Sequence, residues 1–337
     1  MTLRIHFTAE DLARTRLASA PRPLLELEIA VRLLQERSHP VRFDAWRSRA
    51  ARHMAPRMRT LCELIPATGA AVDFLDLSGE GHPDDLVDRL RGTPAGRVRK
   101  DLQQWATDRP AGFSSDVRSL GDDPSLVSVL ADTVAHAHQH FIAPYWSRID
   151  RLAQVDRTRR LRQLAGHGVE RLLSGLNPRY IAWHPPVLHL TMASGRDADV
   201  RLGGRGLLLI PTLFGSHYPA LDDTAEPQPW ITYPLHDDRP GAVSAVFTAE
   251  ALTGSAVPPA LTALLGRTRA TVLRVIGDHP ACTTGQLAAH ACIALASASE
   301  HATVLRRAGL TAQTRDGKSV LHTLTPAGQV LLDAGTG

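Results

Sequence analysis

Asp316-Gly317 lies between two alternating stretches, "LTAQTR" and "SVLHTL". An Asp-Gly pair so flanked is the strongest short-range signal for a tight β-hairpin, because the turn positions need φ > 0. What precedes it narrows the fold further. "ALTALLGRTRATVLRVIGDH" carries Leu261, Leu264, Leu265, Thr268, Val272 and Ile276 along one side and is predicted as one amphipathic helix. In "CTTGQLAAHA", Thr283 and Gln286 have the spacing of a capping box that opens a second helix. "CIALASASEHATVLRRAGL" has the length of a third, closing at Ala308-Gly309, where Gly suits a left-handed backbone. After the hairpin, Thr325 caps and Pro326 opens a last helix.

Helix, helix, helix, hairpin, helix is the element order of a winged helix-turn-helix. In that design the third helix enters the DNA major groove and the hairpin wing meets the backbone. Arg306 and Arg307 on the helix, with Arg315 and Lys318 on the wing, are then placed for phosphates. From Val257 onward there are seven Lys/Arg against four Asp/Glu, a balance of the right sign. The same architecture used only for protein contact is the other reading.

Within this region "LLGRTRATVLRVI", "TTGQLA", "ASEHATVLRRAGL", "RDGKSVLHTLTPAG" and a following "LL" closely resemble the ArsR/SmtB family of bacterial repressors. "LRIHFTAEDLARTRLA" and "LGGRGLLLIPTLF" look like the larger companion domain of the actinobacterial type. The resemblance implies a homodimeric regulator that binds double-stranded DNA and is released by a small ligand or metal. By position it implies that Ser297, Ser299, Glu300, His301 and Thr303 face the groove. It also implies that Arg306, Arg315 and Lys318 hold the backbone.

The chain departs from the family pattern in one place. Cys292 stands for a turn Gly, Ala294-Leu295 for Ser-Pro, and Ala302 for a core Leu, while Glu300 adds negative charge. A lost cap costs about 1 kcal/mol, and Ala for a buried Leu about 2–3 kcal/mol. These changes define the alternative: a winged-helix scaffold repurposed to bind or transform a small molecule. The Cys-x-Cys of metal-sensing members is missing from "GQLAAHA", and Cys282 and Cys292 read as small buried residues.

The fold class expected is α+β. A mixed N-terminal domain over residues 1–256, helical to 180 and strand-rich over 181–250, serves ligand sensing or dimerisation and precedes the winged helix at 257–337. "LRIHF" alternates as a strand, and Thr8 with Asp11 caps a helix. "PLLELEIAVRLLQER" and "DPSLVSVLADTVAHAHQHFI" are the clearest helices, and "PWITYPL" and "AVSAVF" read as strands. The glycines of "LGGRGLLLIP" lack the P-loop lysine and read as a tight hairpin turn. With 337 residues, three cysteines, a net charge of +4 and no long apolar run, the chain is expected to be cytoplasmic, with no membrane contact.

His136 and His140 share a helix face at a permissible metal spacing but flank an apolar stripe, and read as surface or packing histidines. No metal and no cofactor are expected. The remaining concentration is aromatic and imidazole: Trp183, His184, Phe214, His217, Tyr218, Trp230 and Tyr233. Aromatic walls with polar tips describe a pocket for a small organic ligand, and equally an ordinary core. No nucleophile–base pattern is readable. In an enzyme, His184 and His217 would be the acid/base groups.

Overall fold

The alternation of the first residues forms strand β1 (Thr2–His6), whose Leu3 and Ile5 are fully buried. The computed structural model describes residues 2–36, 40–107, 112–215, 218–235, 246–247, 259–291, 293–316 and 319–334. The chain divides into two compact units, Met1–Thr248 and Ala249–Gly337. The boundary expected at Val257 lies outside the described residues.

After β1, the Thr8/Asp11 capping box opens helix α1 (Ala9–Arg14), and β2 (Arg16–Leu17) follows. Asp11 also accepts a hydrogen bond from Gly206 N, 195 residues away. Eight further helices come next: α2 (Pro23–Gln35), α3 (Pro40–Ala50), α4 (Met58–Leu64), α5 (Pro83–Arg91), α6 (Ala95–Thr107), α7 (Ser115–Ser119), α8 (Pro124–Phe141) and α9 (Trp146–Ser174). Several start on side-chain caps, Ser114 for α7 and Asp123 for α8, which satisfy free N–H groups of the first turn. Gly168, at φ 76°, breaks α9 near its end.

The strands β3 (Ile181–His184), β4 (Val187–Thr191), β5 (Ala198–Arg201), β6 (Leu208–Thr212), β7 (Leu221–Asp222) and β8 (Trp230–Pro234) build two sheets. One has the order β3-β4-β1-β5, the other β2-β6-β8-β7. In the second, β2, β6 and β8 are parallel, which explains the continuous apolar runs of β6 and β8, since such strands are covered on both faces. The "LGGRGLLLIP" turn is no hairpin. β5 and β6 belong to different sheets, and Gly203, Gly204 and Gly206, all at positive φ, carry the chain between them. A Cβ on Gly206 would sit 2.6 Å from the Arg14 backbone, so only glycine fits there. Of the strand expected at "AVSAVF", only Val246 and Phe247 are described, and they are helical and turn.

The second unit contains α10 (Pro259–Leu265), α11 (Arg267–Asp278), β9 (Cys282–Thr283), α12 (Thr284–Ala291), α13 (Leu295–Arg307), β10 (Thr311–Asp316), β11 (Ser319–Leu324) and α14 (Pro326–Ala334). The single helix expected over 260–279 is two, because Gly266 takes φ 79° and ends α10. The Thr283–Gln286 capping box is reciprocal, and Gly309 closes α13 at φ 73°. β10 pairs antiparallel with β11 from Thr311↔Leu324 to Asp316↔Ser319, a two-residue connection whose Gly317 and Lys318 lie outside the described residues. Leu261, Leu273, Ile276, Leu287, Ala298, Ala302 and Leu305 share one core.

Candidate functional site

Helix α13 turns Ala298, Ala302 and Leu305 into that core and leaves the opposite face open. Ser299, Glu300, Arg306 and Arg307 are exposed; Ser297, His301 and Thr303 are half-buried. The Thr303 hydroxyl is already engaged, donating to the Ser299 carbonyl at 2.8 Å. Ala294 occupies the N-cap position with no side-chain cap, and Leu295 beside it is 59% exposed. Arg315 is exposed on β10, and Lys318 and Cys292 lie outside the described residues. The face therefore carries cations at its C-terminal end and one carboxylate at its middle.

On strand β11 of the hairpin, His322 is fully buried. Its Nε2 lies 3.0 Å from the Thr284 hydroxyl, and its Nδ1 has no partner among the described residues. Burial disfavours its charged form and holds its pKa below the usual imidazole range. The resulting stability is present above that range and is lost as the pH falls through it. Thermal melts of the second unit's signal should therefore drop between pH 7 and pH 5, and His322→Gln should flatten that dependence.

The seven ligand candidates do not gather in one place. Phe214, Tyr218 and Trp230 line a cleft of about 1330 Å³ in the first unit. Trp183 instead packs edge-on against Phe7 at 5.3 Å in the β1 core, and His184 is exposed at the end of β3 beside His189. Tyr233 is buried beneath Arg160, whose guanidinium carbon lies 4.4 Å from the ring centre. His217 is outside the described residues. The cause is strand register: Trp230 and Tyr233 are three apart on β8 and point to opposite faces.

The cleft runs along the second sheet: Arg16, Leu17, Leu208 and Trp230 line it from β2, β6 and β8, and Phe214, Gly215 and Tyr218 from the chain that follows β6. Its floor is apolar: Ile29, Leu208 and Ala220 pack against Trp230. Its outer wall, over residues 67–80, was not singled out from the sequence, although the Gly and Pro of "ELIPATGA" mark a loop. Two arginines of α2 and its N-cap hold that wall. Arg32 donates to the Pro66 and Gly69 carbonyls, and Arg22 to the Ser78 carbonyl and Glu80. Asp73 on the wall is pushed up by burial and by the like charges of Asp101 and Asp222.

Behind the cleft, Glu26 of α2 is buried against the end of β6. It accepts from the Thr212 hydroxyl at 2.8 Å, Leu213 N at 2.6 Å and Phe214 N at 3.2 Å. This carboxylate positions the 212–215 turn that lines the cleft. Among the described residues no group of three His, Cys, Asp or Glu side chains is placed to hold a metal ion, and no helix is long and apolar enough to cross a membrane. Comparison with protein-family models, with curated proteins and with solved structures returns no match.

Proposed function

We propose that the chain is a transcriptional regulator of the ArsR/SmtB type, binding operator DNA through a C-terminal winged helix and responding to a small organic ligand in the N-terminal unit. The observation that carries this reading is the open face of α13, with Arg306 and Arg307 at one end and a two-stranded hairpin bearing Arg315 next in the chain. A short connection sets α12 before α13, the order of a helix-turn-helix. The cleft, with its apolar floor and polar rim, supports the ligand half of the reading.

Homodimerisation is part of the proposal. Leu264 and Val330 are 66% and 67% exposed on α10 and α14. Beside Val330, Leu310, Pro326 and Leu331 line an apolar groove of about 520 Å³. Such surface is what a second copy would cover.

The test is fluorescence anisotropy against duplex DNA from the chain's own upstream region, at several salt concentrations, with a scrambled duplex as control. Binding that depends on sequence and weakens steeply with salt is expected, and Arg306→Ala should lower the salt slope by about one. Equal, feeble binding to both duplexes would favour the second reading, a repurposed scaffold without DNA binding. The uncapped start of α13 at Ala294 and Leu295 is the observation on its side.

A further inference from the structure

Residues 42–59 contain six arginines against one carboxylate, Asp44. Midway along this stretch, an exposed short turn (Ala51–His53) brings His53 onto α8. His53 and His140 have ring centres 4.3 Å apart, and His140 and His136 are again 4.3 Å apart. Three imidazoles therefore form a column, with His140 in the middle. Its geometry is fixed by the backbone. His136 Nε2 donates to the His53 carbonyl at 3.1 Å, and His140 Nδ1 donates to the His136 carbonyl at 2.9 Å. A carbonyl only accepts, so those two nitrogens carry the protons.

The surroundings are one-signed. Burial, then His140, His136 and Arg52, hold the His53 pKa below the usual imidazole range, and no carboxylate opposes them. Asp132, a turn before His136 on α8, is taken by Arg91. Arg52, Arg57 and Arg59 are exposed, and their guanidinium groups have no hydrogen bond or ion pair with any described residue. A column of three imidazoles beside guanidiniums that no described residue pairs suits an oxyanion. We propose that His53, His136, His140 and Arg52 form a binding site for a phosphate-type oxyanion, either free phosphate or a phosphomonoester. The site is separate from both the cleft and α13 and does not depend on the regulator reading.

Anion binding and imidazole protonation must then be linked, each favouring the other. Isothermal titration of the full chain with sulfate, which keeps its charge across the range, checks this at pH 6 and pH 8 and constant ionic strength. Inorganic phosphate and phenyl phosphate are titrated in parallel. One anion per chain is expected, with sulfate binding about tenfold tighter or more at the lower pH. Phenyl phosphate binding tighter than phosphate identifies an ester as the ligand, and equal binding identifies the free anion. Arg52→Glu and His53→Ala should each lose about tenfold in affinity. Both positions are exposed, so unchanged melting without anion shows that the variants fold. No binding at pH 6, or binding indifferent to pH and to both substitutions, would overturn the proposal. So would zinc saturating the three imidazoles in place of the anions.

Discussion

Asp156→Ala is expected to destabilise the first unit by about 3–5 kcal/mol. Asp156 and Arg160 lie one turn apart on α9 with both side chains 1% exposed, and the Arg160 Nε to Asp156 Oδ2 distance is 2.9 Å. Arg160 also donates to the Gly175 carbonyl and lies over the Tyr233 ring, whose hydroxyl hydrogen-bonds Asp156. Removing the carboxylate leaves a guanidinium in the interior with no opposite charge, and desolvation of that ion is the dominant cost. The pair itself adds little net stability, because each ion has already lost its water. The double variant Asp156→Leu with Arg160→Met should accordingly recover most of the loss. Urea unfolding of the three variants against wild type checks both points; a double variant as unstable as the single one would show that the pair contributes more than compensation.

The second large effect belongs to Glu26. Glu26→Ala leaves the Thr212 hydroxyl and the Leu213 and Phe214 N–H groups without their acceptor in the interior, for an expected loss of about 3–5 kcal/mol. Glu26→Gln keeps one acceptor oxygen and should cost less. The pH dependence of the wild type adds an independent signature. Burial pushes the Glu26 pKa up to about 7, against an ordinary 4.5, despite three donors that favour the anion. A carboxyl raised in this way contributes stability that is full below the ordinary value and lost as the pH rises through about 7. The first unit should thus lose roughly 3 kcal/mol between pH 4.5 and pH 8, opposite in sign to the His322 effect in the second unit. In Glu26→Gln the slope should vanish. A wild-type unit whose stability is flat over that range would mean the three donors hold the carboxylate ionised.

Glu26 also shows why the cleft was only half legible in the sequence. In "PLLELEIAVRLLQER" it is one polar residue in an amphipathic helix, with nothing nearby to mark it as buried. Its partners are Thr212, Leu213 and Phe214, up to 188 residues away. Phe214, Tyr218 and Trp230 were recognisable as aromatic lining, but the same composition pointed equally to Trp183 and Tyr233, which the strands carry elsewhere. His136 and His140 were read as surface or packing residues; their stacking partner His53 is 83 residues upstream of His136, and its only local signal was an arginine-rich stretch.

What the sequence by itself determined is the set of features decided within a few residues. These are the Thr8–Asp11 and Thr283–Gln286 capping boxes, the apolar periods of α2 and α8, the Gly309 stop of α13 and the pairing of β10 with β11, whose connection is Gly317-Lys318, one residue later than the expected Asp316-Gly317. Each depends on side chains and backbone groups that meet whenever the local chain adopts that form. Tertiary structure decided what those elements meet: that β5 and β6 enter different sheets, that β6 lies between parallel neighbours, and that Asp156 and Arg160 are sealed from water. Gly266 shows the limit from the other side, since an unbroken apolar stripe did not keep α10 and α11 one helix. Periodicity says which face will be buried; only the packed partners decide where the chain must bend to bury it.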